Sequence, residues 1–348
     1  DLGALGTLAT YLPFEESTRT RLAAYAPRGA MVGVRLSWQG ELGAPERYAV
    51  ETRFDGLALN AQGAFPGLSG LSGRVKADQS GGELTLTSGA SSLDLPAVLT
   101  GGPMLLDSVA ARVSWTLHDG YPQIRIQRFD FAGPDASGSL TGRYAAMRDG
   151  PGVVDIEARL TRASAAAAWR YVPDPEVSEW LKGALLAGAA SEAKLTLEGD
   201  LRDFPFGRKR TGTFLITGEL SGVRLRYAPD WPEIEGLSGN LRFEGARMQL
   251  RTRGGNILGT SLTPVSAEIS DLGADDLLVR VQGGAAGPTA EFLRFVDSSP
   301  VAEMIDRQTE GMTAAGSGSL VLKLAIPLAK PTATRVDGEY RFGANILA

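Results

Sequence analysis

Trp231-Pro232-Glu233-Ile234-Glu235-Gly236-Leu237-Ser238-Gly239 decides the fold, because the chain carries this pattern twice. Phe65-Pro66-Gly67-Leu68-Ser69-Gly70-Leu71-Ser72-Gly73 lies 166 residues upstream, and the offset holds into the following strand, from Val75 to Leu241. Further upstream, Gly29, Leu36, Gly40 and Leu42 match Gly188, Leu195, Gly199 and Leu201 at an offset of 159. A third copy opens with Leu293-Arg294-Phe295-Val296, which answers Trp169-Arg170-Tyr171-Val172 at an offset of 124. Leu195-Thr196-Leu197 then finds its counterpart in Leu320-Val321-Leu322, and Phe214 in Tyr340. Self-similarity of this kind marks a repeat architecture, and three units follow: 1–163, 164–287 and 288–348. The third stops at Ala348 before its Trp-Pro-type segment, so the chain is expected to be a piece of something longer.

Within a unit a short helical piece precedes many strands. Asp174-Pro175 and Ser299-Pro300 pair an N-cap residue with proline at the first helical position. Gly188 reads as the stop of the second unit's helix. Elsewhere the period is two. Val32, Val34, Leu36 and Trp38 alternate with Gly33, Arg35 and Ser37; Val109, Ala111, Val113, Trp115 and Leu117 do the same. Such alternation means strands with one apolar and one wet face. Asp119-Gly120 and Asp149-Gly150 are hairpin signals. About 17 strands with short connections predict a mainly β fold: an elongated antiparallel sheet built from internal repeats, with a few short helices.

About 17 strands at ~4.8 Å spacing span some 80 Å, and open twisted sheets rarely exceed about 10 strands without curling or splitting. Each strand offers about three apolar side chains to one face, each worth about 1.5–3 kcal/mol when buried. Two arrangements satisfy that surface. The sheet packs on itself as a sandwich, or it curls into a taco-like groove whose lining is covered by an apolar ligand. Composition alone favours the sandwich. The aliphatic, aromatic-poor lining and the repeat favour the groove.

Other chemistry finds little footing. The chain has no cysteine and one histidine, His118, which excludes disulfides, thiolate nucleophiles and two-histidine metal sites. No nucleophile elbow, phosphate loop or dinucleotide fingerprint occurs. No catalytic residue, metal site or cofactor is assigned. Net charge is -5, which argues against nucleic acid as a partner. Arg208-Lys209-Arg210 is the one basic run and reads as a solvated loop. Forty-four glycines in 348 residues are assigned to turns and strand ends. The most apolar tract, Ala184–Ala190, is far shorter than the roughly 20 residues a spanning helix needs.

Asp203-Phe204-Pro205-Phe206, Tyr227-Ala228-Pro229-Asp230-Trp231-Pro232 and Gly236-Leu237-Ser238-Gly239-Asn240-Leu241-Arg242-Phe243-Glu244-Gly245 together resemble the central region of YhdP-type proteins. So does Leu320-Val321-Leu322-Lys323-Leu324-Ala325-Ile326-Pro327-Leu328. These belong to the AsmA-like proteins of Gram-negative envelopes, alongside TamB. The first copy departs from the pattern, with Phe65-Pro66 in place of Trp-Pro and no Phe-Pro-Phe before it. The resemblance implies a periplasmic, bridge-like lipid carrier anchored in the inner membrane by a part absent from this sequence. Its implied partners are phospholipid acyl chains and neighbouring repeats of the parent chain.

On that reading acyl chains lie on the alternating aliphatic face. The candidate lining residues are Leu36 and Trp38, Val113 and Trp115, Leu195 and Leu197, Phe214 and Ile216, Leu250, Val279 and Val281, and Leu322 and Leu324. The rival expectation is a ligand-free β-sandwich module that serves the envelope as a scaffold.

Overall fold

The computed structural model describes residues 1–2, 20, 23–41, 44–63, 65–96, 99, 101–207, 211–330 and 333–348. The basic run at 208–210 lies outside them. The chain divides into two compact units. Unit 1 comprises residues 1–161, 169–178 and 196–203; unit 2 comprises 162–168, 179–195 and 204–348.

Unit 1 is built from β1 (Arg28–Glu41), β2 (Ala44–Leu59), β3 (Gly67–Asp78), β4 (Gly81–Ser88), β5 (Ser91–Asp94), β6 (Met104–Leu106), β7 (Ser108–His118), β8 (Tyr121–Ala132), β9 (Ala136–Ala145) and most of β10 (Val153–Ser164). The order β1-β2-β3-β4-β7-β8-β9 is antiparallel throughout, with β5 added to β3 and β6 to β5. Strand β11 (Leu185–Asp200) has residues in both units. Unit 2 continues with β12 (Thr213–Leu225), β13 (Ile234–Glu244), β14 (Arg247–Ile257), β15 (Thr260–Leu262), β16 (Ser266–Ile269), β17 (Leu278–Pro288), β18 (Ala314–Ala315), β19 (Ser317–Pro327), β20 (Arg335–Phe342) and β21 (Ile346–Leu347). Its order is β12-β13-β14-β16-β17-β19-β20, with β15 bridging β14 and β17. Nineteen strands belong to one antiparallel sheet, and β18 pairs with β21 apart from it. The fold is mainly β, with short helices α1 (Pro175–Ala184), α2 (Thr289–Asp297) and α3 (Val301–Met304). The strand total among the described residues exceeds the 17 expected, because pieces of two to four residues such as β5, β6 and β15 are too short to show a period.

Local chemistry explains the boundaries. Asp119 and Gly120 both have positive φ, 51° and 81°, which is the two-residue turn that suits the twist of β7 and β8. Asp149-Gly150 instead lies in a longer loop between β9 and β10. The Asp174 carboxylate accepts from the backbone N–H groups of Glu176 and Val177 at 3.0 and 2.9 Å and caps α1. That helix ends at Ala184, so Gly188 is not its stop. Gly188 sits inside β11 at φ 113°, and a side chain there would meet Val223 Cα at 2.6 Å. Close approach of β12, not helix termination, is what the position requires.

The repeated Gly-Leu-Ser-Gly has one structural account in both copies. Gly70 and Gly236 have φ 73° and 63°. Leu71 and Leu237 are buried. Ser72 Oγ accepts from Gly56 N–H at 3.1 Å, and Ser238 Oγ from Gly222 N–H at 3.4 Å. Gly56 and Gly222 sit at matching register shifts: Phe54, Leu57 and Leu59 on β2 correspond to Leu220, Val223 and Leu225 on β12. These β-bulges flip the side-chain parity and so keep apolar residues on one face through the bend. The buried clusters form at this end. Phe54, Leu71, Leu86, Leu106, Val109 and Ala111 pack together in unit 1, and Ala165, Val223 and Leu237 in unit 2.

A polar clasp closes part of unit 1. Tyr171 donates its hydroxyl to Asp135 at 3.0 Å, Arg170 pairs with the same carboxylate at 3.2 Å, and Arg170 also donates to the Pro103 carbonyl at 3.3 Å. Burial first, and then Asp135, pushes the Tyr171 phenol up to about 12 from 10.0. A raised folded pKa contributes stability that is complete below the unfolded value and is lost as pH rises through the folded one. Stability is therefore expected to fall between about pH 10 and 12, and Tyr171→Phe to flatten part of that fall. Denaturant titrations at stepped alkaline pH check it. An identical slope in Tyr171→Phe would remove the clasp from the account. Part of the slope should persist in the variant, because burial also raises Tyr227.

Candidate apolar site on the sheet face

Directly paired residues of antiparallel strands point to the same face, so the register sorts every side chain. In unit 1 one row runs Phe54, Gly73, Leu86, Ala111, Phe129, Leu140 from β2 to β9. The next runs Thr52, Val75, Leu84, Val113, Ile126, Gly142. The third runs Leu36, Val50, Ala77, Gly82, Trp115, Ile124, Tyr144, and starts on β1. In unit 2 the rows are Ile216, Phe243, Met248, Ile269, Val279, Ile326 and Gly218, Leu241, Leu250, Ala267, Val281, Leu324, Val336. Each unit thus has one nearly uninterrupted aliphatic face.

The reverse side is charged. Glu51, Lys76 and Glu83 lie in register there in unit 1, as do Arg242, Gln249, Glu268 and Arg280 in unit 2. Glu51 pairs with Arg74, and Glu268 pairs with Arg247 at 2.8 Å. The Arg247 hydrogen bond holds the Glu268 carboxyl below its usual value.

The structure places the expected lining residues as follows. Val113 and Trp115 are half-buried neighbours in unit 1. Leu36 and Trp38 share their face but are 58% and 52% exposed, because β1 has a partner on one side only among the described pairings. Phe214 and Ile216 on β12, Leu250 on β14, Val279 and Val281 on β17, and Leu322 and Leu324 on β19 lie together on the unit 2 face, all half-buried. Leu195 and Leu197 are half-buried on β11. A side chain at Gly218 would meet Ala193 Cβ at 3.3 Å, which puts Ala193, and Leu195 two residues on, on the β12 aliphatic face.

Sequence reasoning misses Val50, Leu84, Ile124, Ile126, Leu241, Phe243 and Ile269 on the same faces. Around Leu84 and Leu241 the alternation is broken by glycines, whose face positions read as turns. Gly82 is one: a side chain there would meet the Trp115 ring at 2.5 Å, so the indole lies across the bare backbone. Gly283 under Val265 and Gly338 under Leu322 repeat the arrangement at 2.5 and 3.0 Å.

The unit 2 face is bounded at both ends. At one end α2 sets Phe292 against Tyr340 at 5.0 Å and Phe295 against Trp231 at 6.0 Å. Trp231 also touches Tyr227 at 5.9 Å, so it anchors a strand end. At the other end the tilted rings of Phe204 and Phe214 lie 5.0 Å apart, and Phe206 is buried. Between these ends the aliphatic side chains stay half-exposed, apart from Ile269, which is buried. Among the described residues no large side chain is completely buried. His118 is exposed beside its turn, 3.8 Å from Asp119. No metal-holding cluster occurs among the described residues, and no described helix is long and apolar enough to cross a membrane.

The class so defined is a mainly β repeat protein in which the strands of each unit present one aliphatic and one charged face. The family follows from comparison: the chain belongs to the YhdP family, whose model, YhdP protein, matches residues 1–348. It is similar to the intermembrane phospholipid transporter YhdP of Escherichia coli (strain K12), with 24% identity over 296 residues. That match covers 82% of this chain and 23% of the relative, so the chain spans about a quarter of the relative's length. No solved structure matches.

Proposed function

We propose that this chain is one section of an intermembrane phospholipid path. Acyl chains lie on the aliphatic face, and headgroups stay at its wet margin. The observation that carries the reading is the register: it continues one apolar face from strand to strand within each unit, half-exposed outside the buried clusters. A relative whose name is that of a phospholipid transporter supports the choice of ligand. The residues act by offering apolar contact without fixed partners. Dispersion contacts with Leu, Val and Ile are individually small and similar along the face, so an acyl chain moves without leaving a deep well. No bond is made or broken, so the role is not enzymatic.

The repeat units 1–163, 164–287 and 288–348 each supply part of the path, beside neighbouring repeats of the parent chain. The location this function requires is the periplasm of a Gram-negative bacterium, with the parent chain anchored in the inner membrane. Native mass spectrometry with lipid extraction tests the reading on protein purified from a bacterial envelope. Stoichiometric phospholipid is expected. A folded, lipid-free chain would return the module to a scaffold with no ligand.

A further inference from the structure

The aliphatic face of unit 1 is graded along its strands. At the end with the buried cluster it carries Phe54 and Phe129. Four residues further along β2, β3, β4 and β7, Trp115 appears in a row that ends in Tyr144. Two residues beyond, Trp38 faces Tyr48 across β1 and β2. Among the strand residues in register on this face the ring types therefore segregate, phenylalanine at the packed end and tryptophan and tyrosine at the other. That second end is also where the hairpin turns begin. Arg47, Asp119, Arg148 and Asp149 stand exposed there, with both signs of charge. The Tyr144 hydroxyl donates to the Pro151 carbonyl in the adjoining loop at 3.0 Å.

Trp and Tyr combine an apolar ring with a polar handle and collect where hydrocarbon meets water. The spacing fits such a boundary. Four residues of strand are about 14 Å and six about 20 Å, against about 15 Å for one leaflet, half of a roughly 30 Å hydrocarbon core.

We infer that Trp38, Tyr48, Trp115 and Tyr144 form an interfacial row that orients phospholipid on unit 1. The glycerol end of the lipid lies at this row, and the acyl methyl ends point towards Phe54 and Phe129. The mixed charges beyond the row suit a zwitterionic headgroup. The inference rests on the lipid-path reading and adds a direction to it.

Brominated phosphatidylcholines test it, with bromine placed either near the glycerol end or near the methyl end of the acyl chain. Each is loaded onto the chain, and tryptophan fluorescence is read for the parent and for Trp115→Phe. The difference isolates Trp115. Its quenching is expected to be about twofold stronger from the glycerol-end bromine. Trp38→Phe gives a second difference at an exposed edge, where folding does not depend on the ring. Equal quenching, or stronger quenching from the methyl end, overturns the orientation and leaves the lipid path standing. No quenching from either lipid, with no lipid retained, overturns the path itself and the orientation with it.

Discussion

Val113→Asp should abolish lipid retention by unit 1, whereas Ser114→Asp, one residue on, should leave it unchanged. Val113 stands between Leu84 and Ile126 on the aliphatic face. A carboxylate there has no cation in register and meets only hydrocarbon, which costs several kcal/mol unless it is paired. Each 1.4 kcal/mol is about tenfold in affinity, so a loss of more than about a hundredfold is expected. Ser114 points the other way, between Glu83 and Arg125. A new carboxylate there gains one opposite charge and one like charge, each worth about 0.2–1 kcal/mol, and so comes out near neutral. Lipid co-purification measured for both variants, with circular dichroism to confirm the fold, decides the matter. If the two retain lipid alike, the face assignment drawn from the register is wrong. Val281→Asp against Gln282→Asp poses the same contrast in unit 2, where Val281 meets Ala267 and Leu324 while Gln282 meets Ser266 and Lys323.

Much of this contrast is legible in the amino-acid sequence alone. Val109, Ala111, Val113 and Trp115 alternate cleanly because β7 carries no glycine and its one register irregularity, at Arg112/Val113, adds its extra residue on β8. Legibility drops wherever backbone geometry replaces a side chain. On β2 the bulge at Gly56 moves the apolar positions from even to odd numbers, so a strict period of two loses the strand after Phe54. On β8 the extra residue, Gln127, does the same between Ile126 and Phe129. Glycines on the aliphatic face read as turns because residue type alone does not reveal a ring from the next strand lying over them. Trp115 over Gly82 is a cross-strand fact, and only the register reveals it. Ser299-Pro300 marks the helix of the third copy in the sequence; α3 does start after that pair, but the longer α2 precedes it and carries the aromatic contacts. Its start at Thr289 follows Pro288 with no side-chain cap, so the usual signal is missing.

The same repeat sets the largest expected loss of stability, at the last glycine of Gly-Leu-Ser-Gly. A side chain at Gly239 would stand 2.2 Å from the Arg251 carbonyl oxygen, and one at Gly73 would stand 2.2 Å from the Thr85 carbonyl oxygen. The obstacle is backbone of the adjacent strand in both copies, so no rotamer change relieves it. Either β13 and β14 part by about an ångström, at the cost of their ladder bonds, or the methyl is compressed. Overpacking of this kind costs about 1–3 kcal/mol and occasionally more, and the loss of one or two strand hydrogen bonds adds about 1 kcal/mol each. Gly239→Ala and Gly73→Ala are therefore each expected to lose about 3 kcal/mol or more in the unit that carries them. Gly222→Ala, at φ 60° with open space around its Cβ, bears only the left-handed backbone cost of about 1–2 kcal/mol. Denaturant unfolding is read in backgrounds that keep a single tryptophan, the others replaced by phenylalanine: Trp231 reports unit 2 and Trp115 reports unit 1. A rank order is expected: Gly239→Ala below Gly222→Ala at Trp231, with the Trp115 transition unmoved. If Gly239→Ala unfolds with the parent, the strands have room that this register denies, and the rows built on it lose their support.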